Sequence, residues 1–182
     1  MAATTAATKD GDGYVLNGTK TFISNGPIAD TYLVFCWTDK AAGRKGMSSF
    51  IIPKGTAGMK PGEHFHKLGL RSSQTSEVVF KDCRVTNENL LGAEGAGMMN
   101  AGAAFDHGRV GIAAQGVGIL QAALDESIQY SKQRVQMGSP IARHQAISWM
   151  IADMATDLQA ARFLTYHAAW LKDNKQPFTK EA

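Results

Sequence analysis

From Met98 to Ser131 the chain runs without a proline through residues rich in Ala, Leu, Ile and Gln, a stretch that fits a long helix and little else. The run opens Gly102-Ala-Ala-Phe105-Asp106-His107-Gly108-Arg109, ends Tyr130-Ser-Lys-Gln-Arg134-Val-Gln136-Met137-Gly138, and is broken by Gly138-Ser139-Pro140. An arginine at each end of one rigid element offers two separated anion sites, which suits a large phosphate-bearing ligand or two of them. Taken by itself, Arg134 reads better as a C-terminal charge complementing the helix dipole. A second helix with a cleaner period follows. Ile147, Ile151, Met154, Leu158, Ala161, Leu164, Ala168 and Leu171 fall at steps of three and four and predict one apolar stripe, closed by Asp173-Asn174 and Pro177. Pro177-Phe178-Thr179-Lys180-Glu181 reads as the first turn of a third helix, capped by Thr179. Two helices with broad apolar faces need further helices to complete a bundle, so the sequence reads as part of a larger protein.

The first half reads as sheet. Tyr14-Val-Leu-Asn17-Gly18-Thr19-Lys-Thr-Phe22-Ile23 sets an Asn-Gly pair between two β-prone runs, predicting a hairpin that turns at Asn17-Gly18. After the turn signal Asn25-Gly26-Pro27 come the apolar runs Tyr32–Trp37, Met47–Ile52 (stopped by Pro53) and Glu77–Phe80. Met1–Thr8 reads as a polar, frayed terminus. Short runs at this spacing, punctuated by Gly and Pro, predict an antiparallel barrel or sandwich. The change of pattern falls near Leu91-Gly92-Ala-Glu94-Gly95. The expected fold class is therefore α+β: an antiparallel β-barrel or sandwich domain over residues 1–92, then over 93–182 the first part of an antiparallel α-helical bundle.

Composition narrows the function. A chain of 182 residues, 44% hydrophobic and 19% charged, can bury a real core. Nineteen Lys plus Arg against sixteen Asp plus Glu are scattered and leave a net charge of +3, which argues against a nucleic-acid surface. No run approaches the roughly eighteen apolar residues of a membrane span, and residues 1–13 lack the apolar core of a signal peptide. The expected setting is the cytoplasm, with a mitochondrial matrix as the alternative. Cys36, inside an apolar run, reads as a buried structural thiol, and Cys83, beside Lys81, Asp82 and Arg84, as an isolated half-exposed one. Gly116-Val-Gly118-Ile-Leu-Gln121 lacks the third glycine of a dinucleotide fingerprint and lies inside a helix, so close helix packing through small residues is the better reading. His64 and His66 would share a face of a strand, yet with no third ligand spaced nearby they read as a solvated or structural pair rather than a metal site. His167 reads as an ordinary helix histidine.

Several segments in register closely resemble the acyl-CoA dehydrogenase family. They are Asn17-Gly18-Thr19-Lys20-Thr21-Phe22-Ile23-Ser24-Asn25-Gly26, Lys67-Leu68-Gly69-Leu70-Arg71-Ser72-Ser73, Leu91–Gly97, Phe105-Asp-His-Gly-Arg109, Arg134-Val-Gln-Met-Gly138, and His144-Gln145-Ala146-Ile147 followed by Ala152-Asp153-Met154. The likeness implies most of the family's middle β domain plus the first two helices of its C-terminal four-helix bundle. It implies FAD as cofactor, with Phe22, Ile23 and Ser24 against the flavin ring, Phe22 standing where tryptophan is commonest. Arg134 and Gln136 are implied to reach the diphosphate and adenosine part of FAD across a subunit interface, with His144 and Gln145 another FAD contact. Met137 stands where phenylalanine is usual. Phe105, Asp106 and Arg109 are implied to contact the CoA part of the substrate. The implied reaction is α,β-dehydrogenation of a short acyl-CoA thioester, with electrons passing to an electron-transfer flavoprotein and the protein acting as a homodimer or homotetramer. The catalytic glutamate is implied downstream of these residues, since the alternative position beside Arg109 holds Gly108. An acyl-CoA oxidase of the same superfamily, or a non-catalytic binding fragment, is the alternative.

Overall fold

A computed structural model describes residues 3–182. Residues up to Gly102 form one compact unit and Ala103–Ala182 a second.

The first unit is a six-stranded sheet of β1 (Ala6–Asp10), β2 (Gly13–Ser24), β3 (Thr31–Trp37), β4 (Met47–Pro53), β5 (Met59–Pro61) and β6 (Thr75–Thr86), in the order β4-β3-β1-β2-β6-β5. The pairings are antiparallel except β1 with β3, which run parallel and meet where Ala6 faces Trp37, so the sheet is mixed rather than purely antiparallel. It does not close into a barrel, because β4 and β5 remain its edges. It curls instead. Tyr14 on β2 meets Phe50 on β4 edge-to-face at 5.1 Å although two strands separate them in the sheet. Leu16, Phe50, Ile52 and Val78 lie fully buried between the two layers, which is the sandwich arrangement.

Three expectations give way here. The hairpin does not turn at Asn17-Gly18. It turns at Gly11-Asp12, between Asp10 and Gly13, and β2 runs straight through the Asn-Gly pair. Gly18 has φ +137, and a Cβ there would stand 2.7 Å from the Thr5 Cα, so the glycine is required by a close strand approach. Opposite Asn17 the partner strand carries two residues, Lys81 and Asp82, and the Asn17 side chain ties down this bulge by accepting from the Asp82 N–H at 2.9 Å. The same bulge overturns the reading of Cys83: Asp82 takes φ +48, Lys81, Asp82 and Arg84 point outward, and Cys83 is buried beside Leu16. Nor is the start of the chain frayed, since Thr5 and Ala7 are buried and the Trp37 indole donates to the Ala3 carbonyl at 2.8 Å. Met1 and Ala2 lie outside the described residues.

The exposed edge of β4 is occupied by the segment that follows β6. Phe50 bridges to Leu90, the Leu91 N–H donates to the Ser49 carbonyl at 2.8 Å, and the Asn89 amide donates to the Ile51 carbonyl at 2.9 Å. From there α1 (Gly97–Gln133) begins against the sheet. Gly97 leaves no room for a side chain, since a Cβ would stand 2.7 Å from the Met47 carbonyl oxygen, and Asn100 donates to Ser49 Oγ at 2.8 Å.

In the second unit α1 continues and is followed by a short hairpin, β7 (Val135–Gln136) with β8 (Ser139–Pro140), and by α2 (Gln145–Asp173). The helices run antiparallel: Arg109 to Ala113 lie against Leu164 to Ala168, while further along α1 Gln121 accepts from Arg162, earlier on α2, at 2.6 Å. Leu124, Leu158, Thr165 and Ala168 are among the buried contacts. The predicted stripe on α2 is therefore rotated at its end: Leu164 is exposed and Thr165 takes the buried place, satisfying its hydroxyl on the Ala161 carbonyl at 2.8 Å. Apolar residues also lie outside this contact, with Trp149, Met150, Phe163 and Trp170 exposed. A Cβ at Gly116 or Gly118 would meet nothing within 4 Å, so within this unit these glycines make no close helix contact. Residues 178–182 form a single helical turn, but the Thr179 hydroxyl does not cap it; it donates to Asp106 instead. No helix among the described residues is long and apolar enough to cross a membrane.

Candidate functional site

Near the end of β2 the register slips a second time. Lys20 faces Val78 and Ile23 faces Ser76, so Thr21 and Phe22 together oppose Glu77. Phe22 accommodates the extra residue at φ +59, a left-handed conformation that costs a non-glycine residue about 1–2 kcal/mol. The slip turns its ring out of the sheet, 76% exposed, supported only edge-on by Phe65 at 5.7 Å. Ile23 returns to pack against the core, and Ser24 ends the strand exposed, its hydroxyl without a hydrogen-bond partner among the described residues. A bulge thus sets a flat aromatic face and a free hydroxyl at one strand end, as a hydrogen-bonding ring system requires. Beside them a cavity of about 270 Å³ runs between β2 and β3, lined by Lys20, Ser24, Tyr32, Val78 and Phe80. Burial pushes the Lys20 ammonium below its ordinary pKa.

In the second unit Phe105, Asp106 and Arg109 stand within one turn of α1. Arg109 is not at a helix end: α1 begins at Gly97, about three turns earlier. Asp106 is buried, with its Oδ1 3.5 Å from Arg109 Nη1 and its Oδ2 accepting from the Thr179 hydroxyl at 2.7 Å. The Arg109 guanidinium lies 6.0 Å from the centre of the Phe105 ring. Along this face runs an apolar groove of about 580 Å³, lined by Ala104, Phe105, Gly108, Arg109, Ile112 and Ala113. Its floor is the small pair Ala104 and Gly108, and Gly108 has open space where a side chain would project. A slender apolar chain ending in an anion fits such a groove. Gly108 itself offers no base.

The third group gathers where α1 ends. Arg134 follows Gln133, the last residue of α1, and its carbonyl accepts from the Ile141 N–H at 2.8 Å, closing the β7–β8 hairpin. Met137 and Gly138 make the turn at φ +52 and +78. His144 stands immediately before α2 and its Nε2 donates to the Gln136 carbonyl at 3.3 Å, so hairpin and helix start are held as one piece. Arg134, Gln136, His144 and Gln145 are brought together in this way. Among the described residues the side chains of Arg134, Gln136 and Gln145 make no ion pair or hydrogen bond. A guanidinium, two amides and the first N–H groups of a long helix are the kinds of donor that an anion uses. Arg109 and Arg134 are separated by about 37 Å of helix at 1.5 Å per residue, so no single phosphate can reach both.

Two contributors escape sequence reasoning. Phe65 supports Phe22 from a loop with no motif of its own, and Thr179 reaches Asp106 across 73 residues. His64 has a structural task, its Nδ1 accepting from the Thr75 N–H at 3.3 Å. His167 is exposed on α2.

Comparison with known proteins agrees over both units. The family model described as acyl-CoA dehydrogenase, middle domain, matches residues 1–83, and that described as acyl-CoA dehydrogenase, C-terminal domain, matches residues 95–182. A short-chain specific acyl-CoA dehydrogenase of Megasphaera elsdenii is 49% identical over 98% of this chain and 47% of its own length. The solved butyryl-CoA dehydrogenase of the same organism superposes with a TM-score of 0.91 at 48% identity, covering 98% of this chain and 47% of that one. A chain in a structure described as an electron transferring flavoprotein of Acidaminococcus fermentans gives a TM-score of 0.90 at 48% identity, covering 99% of this chain and 47% of that one. The chain thus spans about half the length of the relatives it matches. With a matching model on each of its two halves, the chain belongs to the acyl-CoA dehydrogenase family.

Proposed function

We propose that this chain forms the flavin- and substrate-facing part of an FAD-dependent acyl-CoA dehydrogenase acting on short acyl thioesters. Residues 1–92 serve as the middle β domain and 93–182 as the first part of the helical domain. The observation that carries this reading is the bulge at Phe22, which holds an exposed aromatic face beside the unpaired Ser24 hydroxyl in a family whose members are acyl-CoA dehydrogenases. When bound, FAD supplies the acceptor for the β-hydrogen of the acyl chain. Phe22 and Ile23 give the ring a surface to lie on, and the Ser24 hydroxyl is free to hydrogen-bond at its edge. Arg134 and Gln136 reach the diphosphate and adenosine part of FAD across a subunit interface, and His144 with Gln145 supplies another FAD contact, by charge and by helix N–H groups. Phe105, Asp106 and Arg109 orient the CoA portion, and the open apolar face beside Gly108 gives an apolar stem a surface to lie along. The base that removes the α-proton is a glutamate outside these residues. Electrons pass on to an electron-transfer flavoprotein, a reading supported by the Acidaminococcus likeness. The active protein is a homodimer or homotetramer in the cytoplasm or a mitochondrial matrix.

The test is to purify the full-length protein, record its flavin absorbance and titrate it anaerobically with butyryl-CoA. Bleaching of the flavin band is the expected result, and its absence with every acyl-CoA thioester overturns the reading. Rapid recovery of the band in air, without an added acceptor, would assign an oxidase instead.

A further inference from the structure

We infer that Thr179 is a positioning residue for substrate binding, acting through Asp106 on Arg109. The inference rests on the acyl-CoA reading above and adds to it a residue to which that reading assigns no role.

Asp106 is unusual for a helical carboxylate in being buried, and its two oxygens have different partners. Oδ2 accepts the Thr179 hydroxyl at 2.7 Å, while Oδ1 faces Arg109 Nη1 at the longer distance of 3.5 Å. The short bond fixes the carboxylate plane and occupies one oxygen. Asp106 therefore meets the guanidinium through a single oxygen, rather than in the bidentate fork that an aspartate three residues before an arginine can form. The remaining guanidinium N–H groups stay available to an external anion, and Arg109 keeps its place near the Phe105 ring at the rim of the groove.

The segment that brings Thr179 is itself anchored. Phe178 packs edge-to-face on His107 at 5.6 Å, one residue along α1 from Asp106. The turn is closed by the Ala182 N–H donating to the Phe178 carbonyl at 2.9 Å. Without the hydroxyl, the Asp106 carboxylate is free to rotate and pair with Arg109 through both oxygens. That rearrangement sets an internal anion in competition with the substrate's own. The predicted defect is thus one of binding, and only for substrates carrying the anionic part of CoA.

The experiment compares Thr179→Val and Thr179→Ser in the full-length protein, with butyryl-CoA and with the truncated thioester butyryl-N-acetylcysteamine. Thr179→Val should raise KM for butyryl-CoA about five- to tenfold with kcat within about twofold. Flavin content and KM for the truncated thioester should hold, and Thr179→Ser should restore the CoA value. In an Arg109→Met background the valine substitution should have no further effect, because the group it frees Asp106 to capture is gone. Equal losses for both thioesters, an unchanged KM for butyryl-CoA, or the same cost with and without Arg109 would each reduce Thr179 to a structural contact and overturn the inference. Should the valine variant fail to fold, Thr179→Ala removes the hydroxyl with less steric demand and is held to the same outcomes. A wild-type protein that oxidises no acyl-CoA thioester sinks the dehydrogenase reading itself, an outcome separate from these.

Discussion

The Tyr14 hydroxyl donates to the Glu94 carboxylate at 2.8 Å, joining the start of β2 to the loop that leads into α1 across 80 residues of sequence. Burial first, and then this bond, push the Tyr14 phenol from 10.0 up to about 12. The fold favours the protonated form, so the contribution is fully present below pH 10 and is lost as pH rises from 10 through 12. Tyr14→Phe should cost about 1 kcal/mol at neutral pH, the usual net worth of one hydrogen bond, and should lose less stability than wild type over that alkaline window. Urea titrations at neutral and alkaline pH check both points. Parallel pH profiles for the two proteins would mean that Tyr14 does not titrate with unfolding.

Gly18→Ala tests the bulge. The substituted Cβ would meet the Thr5 Cα at 2.7 Å in a backbone already at φ +137, so both sterics and strain oppose it. A loss of about 2 kcal/mol or more is expected from such a clash. A near-neutral urea midpoint would show that β1 can retreat from β2 without cost.

Arg134→Ala in the full-length protein should weaken FAD retention by roughly ten- to hundred-fold, the worth of one charge-assisted contact to phosphate. Titrating apo-protein with FAD by fluorescence quenching measures it. An unchanged dissociation constant would leave Arg134 as a charge at the end of α1 and nothing more.

Arg109→Ala separates the two anion sites. Because about 37 Å of helix lies between Arg109 and Arg134, the substitution should raise KM for acyl-CoA while flavin content stays near normal. Flavin loss with intact KM would reverse the assignment.

Residues 1–182 alone, supplied with FAD and a panel of acyl-CoA thioesters under anaerobic conditions, should not bleach the flavin, because Gly108 cannot act as a base. Exposed Trp149, Phe163 and Trp170 on α2 should also make this chain self-associate, seen as a concentration-dependent mass in sedimentation. Fast bleaching would place a base within these residues.

Periodicity exposed the helices and composition exposed the strands because both are repeated signals, summed over many residues. What depended on one residue's register was harder to read. Asn17-Gly18 carries the residues of a hairpin turn, but β1 lies close enough to demand the glycine for clearance, and the pair sits inside a strand. Cys83 has charged neighbours on both sides, yet an extra residue at Asp82 reverses which side chains face inward. The same logic hides part of the candidate site. Phe22, Arg109 and Arg134 belong to local motifs, whereas Phe65 and Thr179 act through contacts formed only once distant segments meet. Thr179 preceding a helical turn has every local reason to cap it, and a buried carboxylate on another helix claims its hydroxyl instead.

The covering of β4 has a consequence for how this protein fails. Met47–Pro53 is an apolar, β-prone strand at a sheet margin, the type of segment that templates intermolecular stacking when its backbone is bare. Asn89, Leu90 and Leu91 occupy those backbone groups. A protease cut between β6 and α1, or a slow step in docking that segment, would therefore leave the sheet nearly intact and its edge adhesive. The few residues after β6 act as a guard against fibril growth, and damage there should surface as insoluble protein before it surfaces as lost secondary structure.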